Sequence, residues 1–178
     1  MEELEDPTER LKETMEAAEE KKERWTLYVA MSTAIIAVLA AIAGMMGNHH
    51  ANEAMLEQIS SSDKWAYYQS KSIKAELAAS TAQILTSLDK PLPADNVQKM
   101  AKYEKDKAEI KEKAEEEENS SAAHMRKHVN FSKGVTIFQI AIAISAIAIL
   151  TRRKVMWYAS MLLSVGGCVY LVLGYLTK

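Results

Sequence analysis

Three stretches of this chain lack any charged side chain: Trp25 to Met46, Gly134 to Leu150 and Val155 to Leu176. A bilayer core needs roughly 20 apolar residues in a helix. The first and third stretches meet that length, and the second reaches it by recruiting Phe131 and Ser132. The sequence therefore predicts an all-α integral membrane protein with three transmembrane helices. Most of its polar residues fall in one long connection, 47–133, between the first and second spans.

The charge pattern gives an orientation. Thr151-Arg152-Arg153-Lys154 is a short basic turn between the second and third spans, and short basic loops stay cytoplasmic. That places the N-terminal segment 1–24 inside, with Lys21, Lys22 and Arg24 in agreement, and the connection 47–133 and Lys178 outside. Arg126, Lys127 and Lys133 argue the other way, but a connection this long translocates largely regardless of charge. Segment 1–24 carries ten acids against five bases, too acidic for a nucleic-acid arm or a targeting presequence, and a cleaved signal peptide fits it poorly, since its polar start should be short and basic. The first span then reads as a retained signal anchor. The single cysteine, Cys168, lies inside the third apolar stretch, so no internal disulfide is expected.

Helix signals organise the polar parts. Asp6-Pro7-Thr8-Glu9 has an N-cap, a proline at the first helical position and a capping-box acid, so one helix is expected from here into span one. In the connection, Met55, Ile59, Ser62, Ala66, Gln69, Ile73, Leu77, Ser80, Ile84 and Leu88 recur every three or four residues, the spacing of a coiled-coil seam. Pro91 and Pro93 break that helix near 89–95, and Asp95 with Gln98 is a capping-box candidate for the next. The arms on either side are roughly 40 residues each, or about 60 Å as helix, which predicts an antiparallel helical hairpin standing on the membrane; the alternative is a first arm lying flat on the bilayer, with Trp65, Tyr67 and Tyr68 at the interface. Its expected weak point is the run Glu115 to Ser121, where four acids and poor helix formers would interrupt the returning arm.

The run from Trp25 to Ala43 and the stretch Ser62-Asp63-Lys64-Trp65-Ala66-Tyr67-Tyr68-Gln69-Ser70-Lys71-Ser72-Ile73-Lys74 resemble a bacterial membrane-protein family defined as domain of unknown function number 4337. Asp63 to Lys74 is the most specific part of the resemblance. The family implies a bacterial inner membrane and three spans, and supplies no catalytic residue.

Candidate contacts follow from the residue types. Trp65, Tyr68, Gln69 and Ser72 share one helical face, and Tyr67, Lys71 and Lys74 share another, so two contacts are expected on this helix. Small residues let membrane helices approach closely, which singles out Ala37, Ala40, Ala41 and Gly44 on span one and Ser160, Ser164, Gly167 and Gly174 on span three. Gln139 and Ser145 are candidate pore or contact positions of span two. His49 and His50 follow span one, and His124 and His128 lie four apart on the returning arm. Counting from the break sets His124 opposite Ile59, about 13 Å from His50, so neither a metal nor a cofactor site is expected.

Intramembrane acids, bases and histidines are missing, which argues against a transporter acting alone. No phosphate-cradling glycine loop, nucleophile elbow or convincing pair of nucleophile and base is present, so no enzyme is expected. The expected function is a membrane assembly or scaffold protein that homo-oligomerises through its hairpin and its small-residue spans. The alternative is a pore-forming or accessory subunit of a transport or envelope complex. Partners are then the bilayer, further copies of the chain and another membrane or periplasmic protein, with no nucleic acid.

Overall fold

The computed structural model describes residues 7–177, all in helix apart from two short connections and the last residue. Three helices follow one another: α1 Pro7–Ser87, α2 Ala94–Thr151 and α3 Lys154–Leu176. Each contains a stretch long and apolar enough to cross a membrane. Asp6, the expected N-cap, and Lys178 lie outside the described residues. Proline opens α1 at the one helical position where a missing N–H costs nothing, and no further proline occurs before Pro91.

The stop of α1 is specific. Asp89 takes a left-handed conformation at φ 54°, its N–H donates to the Thr86 carbonyl at 3.2 Å, and Lys90 N–H donates to the Leu85 carbonyl at 3.0 Å. Two such bonds wrapped around a left-handed residue satisfy the last carbonyls of a helix, and Pro91 then prevents its resumption. Helix α2 begins at Ala94, one residue before the expected cap, so Asp95 sits inside the first turn and pairs with Lys99 at 2.6 Å. Between α2 and α3, Arg152 is the second left-handed residue, at φ 56°.

Two compact units share these helices. The first comprises residues up to Gly47 together with Val129–Leu176, and so holds all three apolar stretches. Most of its buried positions fall in seven-residue series: Val29, Ile36 and Ala43 on α1, Phe131, Phe138 and Ser145 with Gly134, Ala141 and Ala148 on α2, and Ser160, Gly167 and Gly174 on α3. A seven-residue recurrence keeps one helix edge facing its neighbours. Glycine makes room for phenylalanine at two levels. A Cβ on Gly167 would stand 2.6 Å from the Phe138 ring, and one on Gly174 would stand 3.0 Å from the Phe131 ring.

Several polar side chains in this unit bond each other or backbone, whereas the Trp25 indole N–H is buried without a partner among the described residues. Ser160 Oγ donates to the Ala141 carbonyl at 2.7 Å, Trp157 Nε1 donates to Ser32 Oγ at 3.1 Å, and Thr33 pairs with Ser145. Large apolar side chains such as Leu27, Ile35, Val38, Leu162, Val165 and Val169 point outward and stay exposed.

The second unit is built on Asn48–His128, where the end of α1 and the start of α2 form two antiparallel arms. Cross-arm bonds fix their register: Ser61 Oγ donates to the Ala114 carbonyl at 3.0 Å and Ser121 Oγ to the Ala54 carbonyl at 2.7 Å. The expected interruption at Glu115 to Ser121 is absent, and α2 runs through it. The reason is tertiary. Glu117 pairs with Lys64, Ser120 Oγ donates to Glu57 at 2.7 Å, and Ser121 bonds arm one, so the poor helix formers are held by their partners.

Candidate interaction surface

The face that joins the arms is not the apolar one. Along α1 the inner edge runs through buried Ala54, Ser61 and Ala75 and half-buried Tyr68 and Ala82, again seven apart, flanked by half-buried His50, Glu57, Lys64, Lys71, Ala78 and Leu85. On α2 the matching edge holds Ala114 and Ser121, with half-buried Met100, Tyr103, Lys107, Ile110, Glu117 and His124. Small side chains at the closest level let the serine hydroxyls reach carbonyls of the other helix, while ion pairs close the seam at the next level.

Lys71 shows how that second level works. Its Nζ lies 2.7 Å from Asp106 and within 5.2 and 5.5 Å of the Tyr67 and Tyr103 ring centres. The hydrogen bond with Asp106 raises the Lys71 pKa and lowers that of Asp106. Glu117 is lowered in the same way, chiefly by its hydrogen bond from Lys64. Lys71, Asp106 and Glu117 are thus held charged by partners on the opposite arm.

Every residue of the expected seam, Met55, Ile59, Ser62, Ala66, Gln69, Ile73, Leu77, Ser80, Ile84 and Leu88, is exposed instead. That corrects the apolar-seam reading. Hydrophobic spacing identified a face that repeats with the helix, but a second face of small and charged residues repeats every seven, and that one closes the hairpin. Met55, Leu56, Ile59, Ile73, Leu77, Ile84 and Leu88 are left between 54% and 67% exposed. They fall in two groups on one helix face, Met55 to Ile59 and Ile73 to Leu88, joined by the small or uncharged Ser62, Ala66 and Gln69; single exposed apolar residues are ordinary, whereas grouped ones are less so.

The other singled-out residues divide between seam and surface. Trp65 and Tyr68 are half-buried and meet edge to face with ring centres 5.6 Å apart, and Tyr68 lies 5.9 Å from Lys107 of α2. Tyr67 and Gln69 are exposed, and Lys71 belongs to the seam. Among the small residues of the first unit, Ser160, Gly167 and Gly174 are buried, Gly44 and Ser164 half-buried, and Ala37 and Ala41 exposed. Ser145 is buried against Thr33, whereas Gln139 is exposed, so the two polar positions of the second span do not share a face.

The histidines also require a correction. His50 and His124, expected about 13 Å apart, are in contact through Nδ1 atoms separated by 3.1 Å. Counting residues from the break assumed that both arms advance equally from it. The extended connection covers more length per residue than helix, which slides α2 along α1. Among the described residues, no group of three or more His, Cys, Asp or Glu side chains is placed to hold a metal ion.

The family model described as Domain of unknown function (DUF4337) matches residues 25–177. The chain belongs to this family. The match takes in both units and leaves out only the N-terminal segment and the last residue. No curated protein and no solved structure matches the chain.

Proposed function

We propose that this DUF4337 protein is a non-enzymatic, multi-pass protein of the bacterial inner membrane that assembles with further copies of itself. The apolar row on α1, from Met55 to Leu88, carries the reading. The hairpin closes through its other face as an antiparallel coiled coil, which leaves this row available to a second copy. None of the row's residues is charged, so two identical rows meet without like-charge repulsion.

Energetics favour a partner that is already confined. Covering seven large side chains that are roughly two-thirds exposed yields on the order of 10 kcal/mol. Association costs about 4 to 15 kcal/mol in lost freedom, so the row alone gives modest affinity between free molecules. Copies anchored in one bilayer meet at high effective concentration, and a modest interface then suffices. The outward apolar side chains of the first unit suit lipid, and the basic turn at Arg152 to Lys154 suits the cytoplasmic side. The polar connection would then lie in the periplasm.

Native mass spectrometry of the detergent-solubilised protein tests the assembly reading. A defined homo-oligomer is expected, reduced to monomer by the double substitution Ile73→Lys, Leu77→Lys. A wild-type monomer refutes it, and a stoichiometric foreign subunit would make the chain an accessory component of a larger complex.

A further inference from the structure

Within the hairpin unit, His50 of α1 and His124 of α2 face each other through the same ring atom, Nδ1, at 3.1 Å. Two facing ring nitrogens attract only when one carries a proton and the other a lone pair. If both are protonated, two N–H groups and two positive charges meet, and the contact becomes repulsive. The rings are half-buried at the level of the seam that binds arm to arm. A change in this pair therefore acts on the hairpin rather than on a free surface.

The surroundings determine how many protons the pair accepts. His124 Nε2 lies 3.9 Å from Glu57 Oε1, which also accepts the Ser120 hydroxyl. This carboxylate favours a hydrogen on His124 Nε2 and leaves its Nδ1 as the acceptor for His50 Nδ1–H. With one charge on the pair, a single proton still lies between the two Nδ1 atoms and the contact survives. A second charge puts N–H on both Nδ1 atoms and breaks it.

Charged neighbours act in both directions. Burial, then His124, Lys127 and His49, lower the His50 pKa from its ordinary 6.5, while Glu53 opposes them. His128 follows His124 by about one helical turn on the same arm. Because the folded pKa lies below the unfolded one, the His50 contribution is fully present above pH 6.5. It is lost as pH falls through the lowered value.

We propose that the His50–His124 contact is an acid-sensitive clasp between the two arms, closed by one shared proton and opened when both Nδ1 atoms are protonated. The clasp requires only the hairpin and is independent of whether copies associate.

Histidine-labelled nitrogen NMR and amide exchange on the full chain in lipid nanodiscs test this. With only four histidines in the sequence, the two facing rings should titrate as one coupled pair rather than as independent rings, with His50 below its ordinary 6.5. Amides of 51–57 and 120–127, corrected for intrinsic exchange, should lose roughly tenfold protection between about pH 7.5 and about pH 5. His50→Asn places an amide where Nδ1 stood. It can donate to or accept from His124 and should keep protection at both values.

Equal wild-type protection at the two pH values would overturn the proposal, as would an acid response in His50→Asn matching the wild type. Loss of protection at about pH 7.5 in both His50→Asn and His124→Asn would also overturn it, since ring packing would then hold the arms.

Discussion

Adding one methyl group at Gly167 and the same group at Gly166 separates two accounts of why glycine stands in α3. At Gly167 the new Cβ would meet Phe138 Cε1, Cδ1 and Cζ at 2.6, 2.7 and 2.9 Å. Ordinary contact begins near 3.4 Å, so the ring or the helix must move by roughly 0.8 Å. Phe138 has nowhere to go. It is fully buried, and the levels on either side along α3 are set by Ser160 on the Ala141 carbonyl and Gly174 against Phe131. Overpacking of this kind costs about 1 to 3 kcal/mol.

At Gly166 the nearest atom, Ile137 Cγ2, is 4.0 Å away, an ordinary contact. There the alanine gains only helix propensity, up to about 1 kcal/mol in favour of the fold. The two alanine variants should therefore differ by about 3 kcal/mol, roughly a hundredfold in folding equilibrium. Reversible denaturation in micelles, followed by fluorescence of Trp157, measures the difference. Gly167→Ala combined with Phe138→Leu should regain most of the loss, because the shorter side chain vacates the crowded space. Equal stability of the two alanine variants, or failure of the leucine to rescue, would refute glycine as a seat for phenylalanine.

Two further outcomes follow from the hairpin. Asp89→Gly should stabilise the protein by about 1 kcal/mol, because a left-handed backbone costs least without a Cβ, and thermal denaturation would show the gain. The Lys71–Asp106 pair lowers the Asp106 pKa from its ordinary 3.8, so its contribution is present above pH 3.8 and lost as pH falls through the lower folded value. Asp106→Asn should weaken the arms at neutral pH and flatten this acid-side loss, as read by denaturation at several pH values.

The large divisions of the fold were legible from simple physical limits. A charge-free stretch of sufficient length predicts a helix long and apolar enough to span a membrane, and two prolines two residues apart fix a break, because neither depends on what packs nearby. The seam was not legible in the same way. Leu77 and Ile73 advertise burial more strongly than Ala75, yet Ala75 is buried and they are exposed. Hydropathy ranks what a side chain gains by leaving water, but it does not show which helix edge allows the closest approach. The signal was present in the recurrence of Ala54, Ser61, Tyr68, Ala75 and Ala82 at seven-residue intervals, with complementary charges at Lys64 and Glu117 or Lys71 and Asp106. The His50–His124 contact depended on the register those residues set, and that register cannot be counted from the turn.

A small and charged seam has a consequence for the apolar row. Had the arms closed through Ile59, Ile73 and Leu77, the hairpin would have been stable alone and would have presented a polar exterior. Closing it through serine hydroxyls and ion pairs uses interactions that contribute little net stability each, on the order of 1 kcal/mol for a hydrogen bond. It leaves the apolar side chains of α1 outside the seam, while directional bonds hold the arms in register. On the proposed readings, the clasp and the association of copies would use opposite faces of one helix. Substitutions at Ile73 and Leu77 should alter assembly without moving the histidine titration, and His50→Asn should do the reverse near neutral pH.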